Sequence, residues 1–325
     1  MRLRRADPNG PGYSRRRHGR GFAYVDDSGR RLGPDEVRRI RDLVIPPAWK
    51  DVWISPDPRG HIQATGIDAA GRKQYLYHPQ WRVKRDAAKF DHVLEVAGRL
   101  PALRKRVDGD LSGRGLGEAR VLAAVARLLD MGTFRVGGDG PADREEDPTF
   151  GVSTLRPEHV RGSRGCVLLE FPAKGGIDVA RSVQDADVCA VLRELRRRRR
   201  DQERLFGYWN GRSWHDVRAD EVNAYLREAS GGEMTAKDFR TWHGTVEAAV
   251  ELAAEGTHAS AAKRKRVVAG VMRAVAELLG NTPTVARASY VDPRVIDLYN
   301  DGVVADVPKN PSRDRAERAV LDLLA

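Results

Sequence analysis

Arginine, lysine and tyrosine are the residues of this chain best suited to phosphoryl chemistry, and several stand where one structural element gives way to the next. Arg135 lies in Thr133-Phe134-Arg135-Val136-Gly137-Gly138, just past an apolar helical pattern, and Arg240 lies in Lys237-Asp238-Phe239-Arg240-Thr241-Trp242, in the first turns of another. Lys174 sits at the tip of Pro172-Ala173-Lys174-Gly175-Gly176, between two apolar extended runs. Of the eight tyrosines, Tyr290 falls on a connection between two helical patterns, where a phenol can stay exposed. Taken singly, each has an ordinary reading as a surface ion pair, a polar turn or a ring covering the edge of a core. Guanidinium groups, however, can supply the transition-state charge stabilisation that a metal gives in other phosphoryl-transfer sites. The chain has no Gly-x-x-x-x-Gly-Lys-Ser/Thr loop and no His/Cys ligand spacing, so the sequence predicts no ATP site and no metal. Glu145, Glu146 and Asp147 have the composition of a magnesium site but stand among prolines, which reads as a solvated loop.

The elements that must position these residues fall into two styles. Short β-segments at 22–25, 52–55, 61–65 and 74–77 are separated by Gly, Pro and Asp at turn spacing. From about residue 115 the period becomes helical: Val121, Leu122, Val125, Leu128 and Leu129 share one face and the pattern stops at Gly132. Residues 166–171 and 177–183 are apolar and extended, and predict a hairpin. A helical run over 187–206 carries Val188, Val191, Leu192 and Leu195 on one face, and its arginines at 196–200 read as a solvated face. Thr235-Ala236-Lys237-Asp238 has the form of a capping box. Residues 260–279 predict a helix with Gly280 as its cap and Pro283 beyond, and Asp292-Pro293 opens another. At 306–325, Val320, Leu321 and Leu324 make a short helical pattern that either packs on the core or stays mobile.

Length and charge set the frame. The 325 residues suffice for about two domains. Lys and Arg number 57 against 46 Asp and Glu, a net charge of +11 that points to a polyanion, with nucleic acid first. Two cysteines, Cys166 and Cys189, exclude a disulfide framework and a cysteine-rich zinc module and suit a reducing cytosol. No stretch approaches the ~20 apolar residues of a membrane span. The reading is α+β: a flexible basic tail at 1–21, a β-rich domain at 22–90 and a mainly helical domain at 91–325 that contains a small hairpin.

Three segments, Ile45-Pro46-Pro47-Ala48-Trp49, Gly60-His61-Ile62-Gln63-Ala64-Thr65-Gly66 and Gly71-Arg72-Lys73-Gln74-Tyr75-Leu76-Tyr77-His78, resemble the N-terminal signature of type IB DNA topoisomerases of the compact bacterial and poxvirus branch. Downstream, Phe134-Arg135-Val136-Gly137, Phe171-Pro172-Ala173-Lys174-Gly175, Lys237-Asp238-Phe239-Arg240-Thr241-Trp242 and Asn281-Thr282-Pro283 before Tyr290 follow in the family's order, so that the resemblance covers roughly residues 20–305. It implies that Tyr290 attacks a phosphodiester of double-stranded DNA, leaving a 3′-phosphotyrosyl link and a 5′-hydroxyl. Arg135 and Arg240 would hold the non-bridging oxygens, and Lys174 would protonate the departing oxygen with Lys237 assisting. It further implies that Arg72, Lys73, Gln74, Tyr75 and Tyr77 meet the major groove, against which stands the reading that strand alternation lets only one of the two tyrosines face DNA. The resemblance also implies a monomer that clamps the duplex with two domains, without cofactor, in a bacterial cytoplasm at the nucleoid. Two positions depart from the family: Asn281 replaces a phosphate-donating histidine, and the Ser-Lys-x-x-Tyr approach to the nucleophile reads Ala286-Arg287-Ala288-Ser289-Tyr290. A tyrosine recombinase shares the catalytic set but not the segment at 71–78, and a non-catalytic DNA-binding protein would need only the charge.

Overall fold

A computed structural model describes residues 2–132, 134–138, 149–162, 166–174 and 176–325; Glu145, Glu146 and Asp147 lie outside them. Two compact units result, Met1–Asp91 and His92–Ala325. The first holds β1 (Tyr13–His18), β2 (Gly21–Val25), α1 (Pro34–Asp42), β3 (Lys50–Ile54), β4 (Ile62–Ile67) and β5 (Lys73–Tyr77). Its strands form one antiparallel sheet in the order β2-β1-β3-β4-β5. Ile40 from α1 packs with Ile45, Val52, Ile54 and Ala64 to make this unit's core.

The expectation of a tail at 1–21 is corrected here. β1 lies inside the sheet, paired on one side with β2 and on the other with β3. The arginines that gave the segment its tail-like composition have partners in the fold. Arg15 donates to the carbonyls of Ile45, Pro46 and Trp49 at 3.2, 3.1 and 2.7 Å, and its guanidinium stacks 4.1 Å from the centre of the Phe22 ring. Further upstream, the Arg4 amide donates to the Arg59 carbonyl and the His61 amide to that of Arg4, both at 2.9 Å.

The chain passes from the first unit to the second within α2 (Pro79–Leu111), a helix for which the sequence reading names no element. Its buried Val93, Val96, Ala97, Leu100, Leu103, Val107 and Leu111 carry the helical period. The second unit continues with α3 (Glu118–Asp130), β6 (Val160–Gly162), β7 (Val167–Ala173), β8 (Ile177–Val183) and α4 (Ala186–Arg198). Then come β9 (Gly207–Trp209), β10 (Trp214–Asp216), α5 (Ala219–Ser230), α6 (Ala236–Glu255), α7 (Ala261–Leu279), α8 (Pro283–Ser289), α9 (Pro293–Asn300) and α10 (Arg313–Leu324). β6, β7 and β8 form an antiparallel sheet, and β7 turns Val167, Leu169, Phe171 and Ala173 into the core at strand spacing.

Three local expectations change, and one left open is decided. The helix over 187–206 ends at Arg198, and Arg199 is buried rather than solvated: its Nε donates to the Arg204 carbonyl at 3.2 Å, it pairs with Asp216, and it lies 5.0 Å from the Trp214 ring. Pro283 starts α8 instead of merely following a stop, because Thr282 caps it with its hydroxyl. Residues 313–324 pack on the core as α10, through Ala316, Val320 and Leu324. Cys166 and Cys189 form a disulfide that ties the residue preceding β7 to α4.

Candidate active site

The site is built on the C-terminal end of α7. That helix closes with Gly280 in the left-handed conformation, φ 59°, and the Asn281 amide returns to the Ala276 carbonyl at 2.8 Å. The last carbonyls of a helix lack intrahelical partners and sit at the negative end of its dipole, so they attract cations. Two guanidinium groups take them. Arg240 Nη2 donates to the Leu279 carbonyl at 2.6 Å, and Arg135 Nη2 donates to the Gly280 carbonyl at 2.9 Å and to Asn281 Oδ1 at 2.7 Å. Asn281 Nδ2 donates to the Leu279 carbonyl at 3.3 Å.

Arg240 is 3% exposed, and burial lowers its pKa first, with the charge of Arg135 acting in the same direction. The neighbouring Tyr290 acts in the opposite direction, and the guanidinium lies 5.1 Å from the centre of its ring. Two like charges held this close are a receptacle for an anion, which relieves their repulsion. Arg135 Nε and Nη1 make no hydrogen bond among the described residues, so that guanidinium retains donors for such an anion.

Tyr290 directly follows α8 as its C-cap, and its backbone is held from α6. Thr245 Oγ1 donates to the Tyr290 carbonyl at 3.3 Å and accepts from the Asp292 amide at 3.1 Å. Gly244 beside it leaves no room for a side chain, because a Cβ there would stand 2.9 Å from the Tyr290 carbonyl oxygen. Arg135 is held through its own backbone as well: the Val152 amide donates to the Arg135 carbonyl at 2.8 Å, and Phe134 is buried beside Phe171 with ring centres 6.3 Å apart.

The structure thus brings Arg135, Arg240, Asn281 and Tyr290 together. Lys174 stands exposed at the β7–β8 turn; Ala173 and Ile177 at the base of that turn line a cleft of 260 Å³ with Arg135, Arg181, Glu277 and Gly280. Lys237 is exposed in the first turn of α6, three residues before Arg240. Gly244, Thr245, Arg181 and Glu277 were missed by sequence reasoning; only the mid-helix Gly244 carried a local signal, since glycine there costs about 1 kcal/mol and asks for a packing reason. Among the described residues, no group of three or more His, Cys, Asp or Glu is placed to hold a metal ion.

In the first unit, Arg72, Lys73, Gln74, Tyr75 and Tyr77 all belong to the β4–β5 hairpin. Asp68 organises its turn, accepting from Arg72 Nε at 3.0 Å and from Gln74 Nε2 at 2.8 Å. The alternative reading, that strand alternation lets only one of the two tyrosines face DNA, fails in its premise. Residues two apart on a strand lie on the same face, and the Tyr75 and Tyr77 rings stack with centres 6.1 Å apart at 14°. The Lys73 ammonium sits 5.9 Å from the Tyr75 ring, adding a cation to the aromatic pair.

Residues 78–302 match the family described as "Eukaryotic DNA topoisomerase I, catalytic core". The chain belongs to the DNA topoisomerase IB family. Residues 21–68 of this topoisomerase also match the family described as "Bacterial DNA topoisomerase IB, N-terminal domain". The topoisomerase is similar to the DNA topoisomerase 1B of Acanthamoeba polyphaga mimivirus, 28% identical over 289 residues that cover 86% of this chain and 84% of that protein. It is a DNA-binding isomerase whose substrate is DNA and whose activity changes DNA topology. Among its described residues no helix is long and apolar enough to cross a membrane.

Proposed function

We propose that this topoisomerase relaxes supercoiled duplex DNA by opening one strand through a 3′-phosphotyrosyl intermediate at Tyr290, letting the duplex swivel, and resealing it. The convergence of Arg135 and Arg240 on the end of α7, with the Tyr290 ring against Arg240, is the observation that carries this reading. The scissile phosphate is the anion that the two guanidiniums accept. Its non-bridging oxygens gain charge in the pentacoordinate transition state, where fixed bidentate donors stabilise it more than the ground state.

Tyr290 Oη attacks phosphorus, giving up its proton to solvent, and the bond to the 5′-oxygen of the neighbouring nucleotide breaks. Lys174 delivers the proton that this oxygen needs, with Lys237 assisting, which contributes about 10²–10⁴ in rate. Asn281 holds Arg135 by its carbonyl and offers its second amide hydrogen to the phosphate. A carboxamide can do both, though it cannot supply the charge of a histidine. Because the phosphodiester energy stays in the phosphotyrosine, the freed 5′-hydroxyl reverses the step without ATP, and the arginines take the place of a metal.

Arg72, Lys73, Gln74, Tyr75 and Tyr77 would meet the duplex from the first unit, so that a single chain clamps it with two units. The enzyme would work at the bacterial nucleoid. The test is relaxation of negatively supercoiled plasmid in EDTA without ATP. Relaxation by the parent protein and its loss in Tyr290→Phe are expected, whereas relaxation by Tyr290→Phe at the parent rate would overturn the assignment.

A further inference from the structure

A partly buried ion cluster, built on residues of α2, α3, α6 and α10, is not used by the proposed chemistry. Asp130, the last residue of α3, is 4% exposed. Arg104 of α2 donates from Nε to Asp130 Oδ2 at 2.9 Å and from Nη2 to Oδ1 at 3.2 Å, and it clasps Glu317 of α10 with bonds of 2.7 and 2.8 Å. Arg313 of α10 donates to Glu317 Oε1 at 3.0 Å and to the Asp130 backbone carbonyl at 2.8 Å, and it pairs with the Asp130 carboxylate. Its Nη2 also lies 3.2 Å from His243 Nε2 on α6, which is itself 3.4 Å from Asp130 Oδ1. Burial would raise the Asp130 carboxyl, but His243, Arg104 and Arg313 outweigh it and hold the group ionised well below the usual carboxylate range.

Each end of this cluster leads to an arginine of the site. Asp130 closes α3, and five residues further on the chain reaches Arg135; His243 stands three residues beyond Arg240, close to it on the surface of α6. Arg313 joins the two, because it caps the end of α3 through the Asp130 carbonyl and meets α6 at His243. Gly132 packs on the same ring: with φ at 79°, a Cβ there would come within 2.7 Å of His243. The carbonyls of α7 thus hold the tips of the two guanidiniums, and the cluster fixes the elements from which they spring. None of its five residues lines the cleft beside Arg135.

We infer that Arg313 and Glu317 of α10, acting with Asp130, Arg104 and His243, are positioning residues that set the separation of Arg135 and Arg240 at the scissile phosphate. The inference rests on the proposed placement of that phosphate between the two arginines. Two repelling cations keep a productive spacing only if their backbones are rigid, and displacement by about 1 Å at a catalytic group costs about 10²-fold in rate. The device therefore acts on the chemical step and leaves DNA affinity alone.

Arg313→Ala, Arg313→Lys, Glu317→Ala and Glu317→Gln are compared with the parent and Tyr290→Phe. Three quantities are read: the single-turnover rate of covalent adduct formation on a duplex oligonucleotide, the Kd for the same duplex in Tyr290→Phe backgrounds, and the melting temperature. Arg313→Ala and Glu317→Ala should cleave about 10 to 10² times more slowly at a temperature where both are folded, with Kd changed less than threefold. Arg313→Lys should recover part of the loss, because a lysine still reaches the Asp130 carbonyl. If the alanine variants do not fold, the isosteric Glu317→Gln decides, with a rate at least threefold below the parent expected. Folded variants cleaving within twofold of the parent would overturn the inference, as would a Kd that weakens in step with the rate. A parent protein that forms no adduct at all would instead overturn the phosphotyrosine reading.

Discussion

Replacing Gly244 by alanine should slow DNA cleavage far more than it destabilises the fold. The added Cβ would stand 2.9 Å from the Tyr290 carbonyl oxygen, 3.1 Å from Leu279 Cδ1 and 3.3 Å from Tyr290 Cβ. Ordinary contact begins at 3.4 Å, so the Tyr290 carbonyl must withdraw by 3.4 − 2.9 = 0.5 Å, and the Thr245 hydrogen bond that holds it moves with it. Overpacking of this kind costs about 1–3 kcal/mol. Alanine returns about 1 kcal/mol of helix propensity in the middle of α6, so the net loss of stability is about 0–2 kcal/mol. The effect on chemistry is larger, because a shift of about 1 Å costs about 10²-fold, and half of it about tenfold, when an in-line nucleophile is displaced. Adduct formation measured in a single turnover on a duplex oligonucleotide, alongside a thermal melt, separates the two effects. A folded Gly244→Ala protein that cleaves within twofold of the parent would refute the claim that α6 positions the nucleophile.

Other expected outcomes follow from the same geometry. Asn281→Ala removes a hydrogen bond to a charged group, an interaction of about 1.5–3 kcal/mol, and should slow adduct formation by about 10 to 10²; an unchanged rate would show that Arg135 needs no such anchor. Glu247 on α6 has its carboxyl raised by burial and then by the neighbouring Glu251. A raised carboxyl stabilises the fold only below its unfolded pKa of about 4.3, and that contribution is lost as pH rises through the folded value. Glu247→Gln should therefore raise the melting temperature at pH 7, with the gain shrinking towards pH 4, and a lower melting temperature at pH 7 would contradict the sign. Lys73→Ala should weaken duplex binding and reduce the salt slope of the logarithm of the binding constant by about 1, which a titration from low to moderate salt measures.

Local periodicity was enough to find β2, β3, β4 and β5 within a few residues, together with the β7–β8 hairpin, α3 and the capped end of α7. It failed where composition pulled the other way. Arg15 made the segment at 13–18 look like a tail, although its guanidinium is satisfied by carbonyls some thirty positions on, which no window over the sequence contains. Arg199 read as one more solvated arginine of its run until tertiary structure set Asp216 and Trp214 around it. The chemistry-bearing types at Arg135, Arg240 and Tyr290 were visible in the sequence. What holds them was not, since Arg135 meets Gly280 across 145 positions and Arg104 meets Glu317 across 213. Such pairings are fixed by how helices pack, and they leave no periodic trace.

In the proposed reaction Tyr290 becomes covalently joined to the 3′ end of a broken strand. The most direct measurement is to trap the protein on a duplex oligonucleotide under denaturing conditions, digest the adduct and map the modified peptide by mass spectrometry. A nucleotide joined through a 3′-phosphate to the peptide containing Tyr290, with a free 5′-hydroxyl on the released strand, is expected. A linkage to another residue, or to a 5′-phosphate, would contradict it.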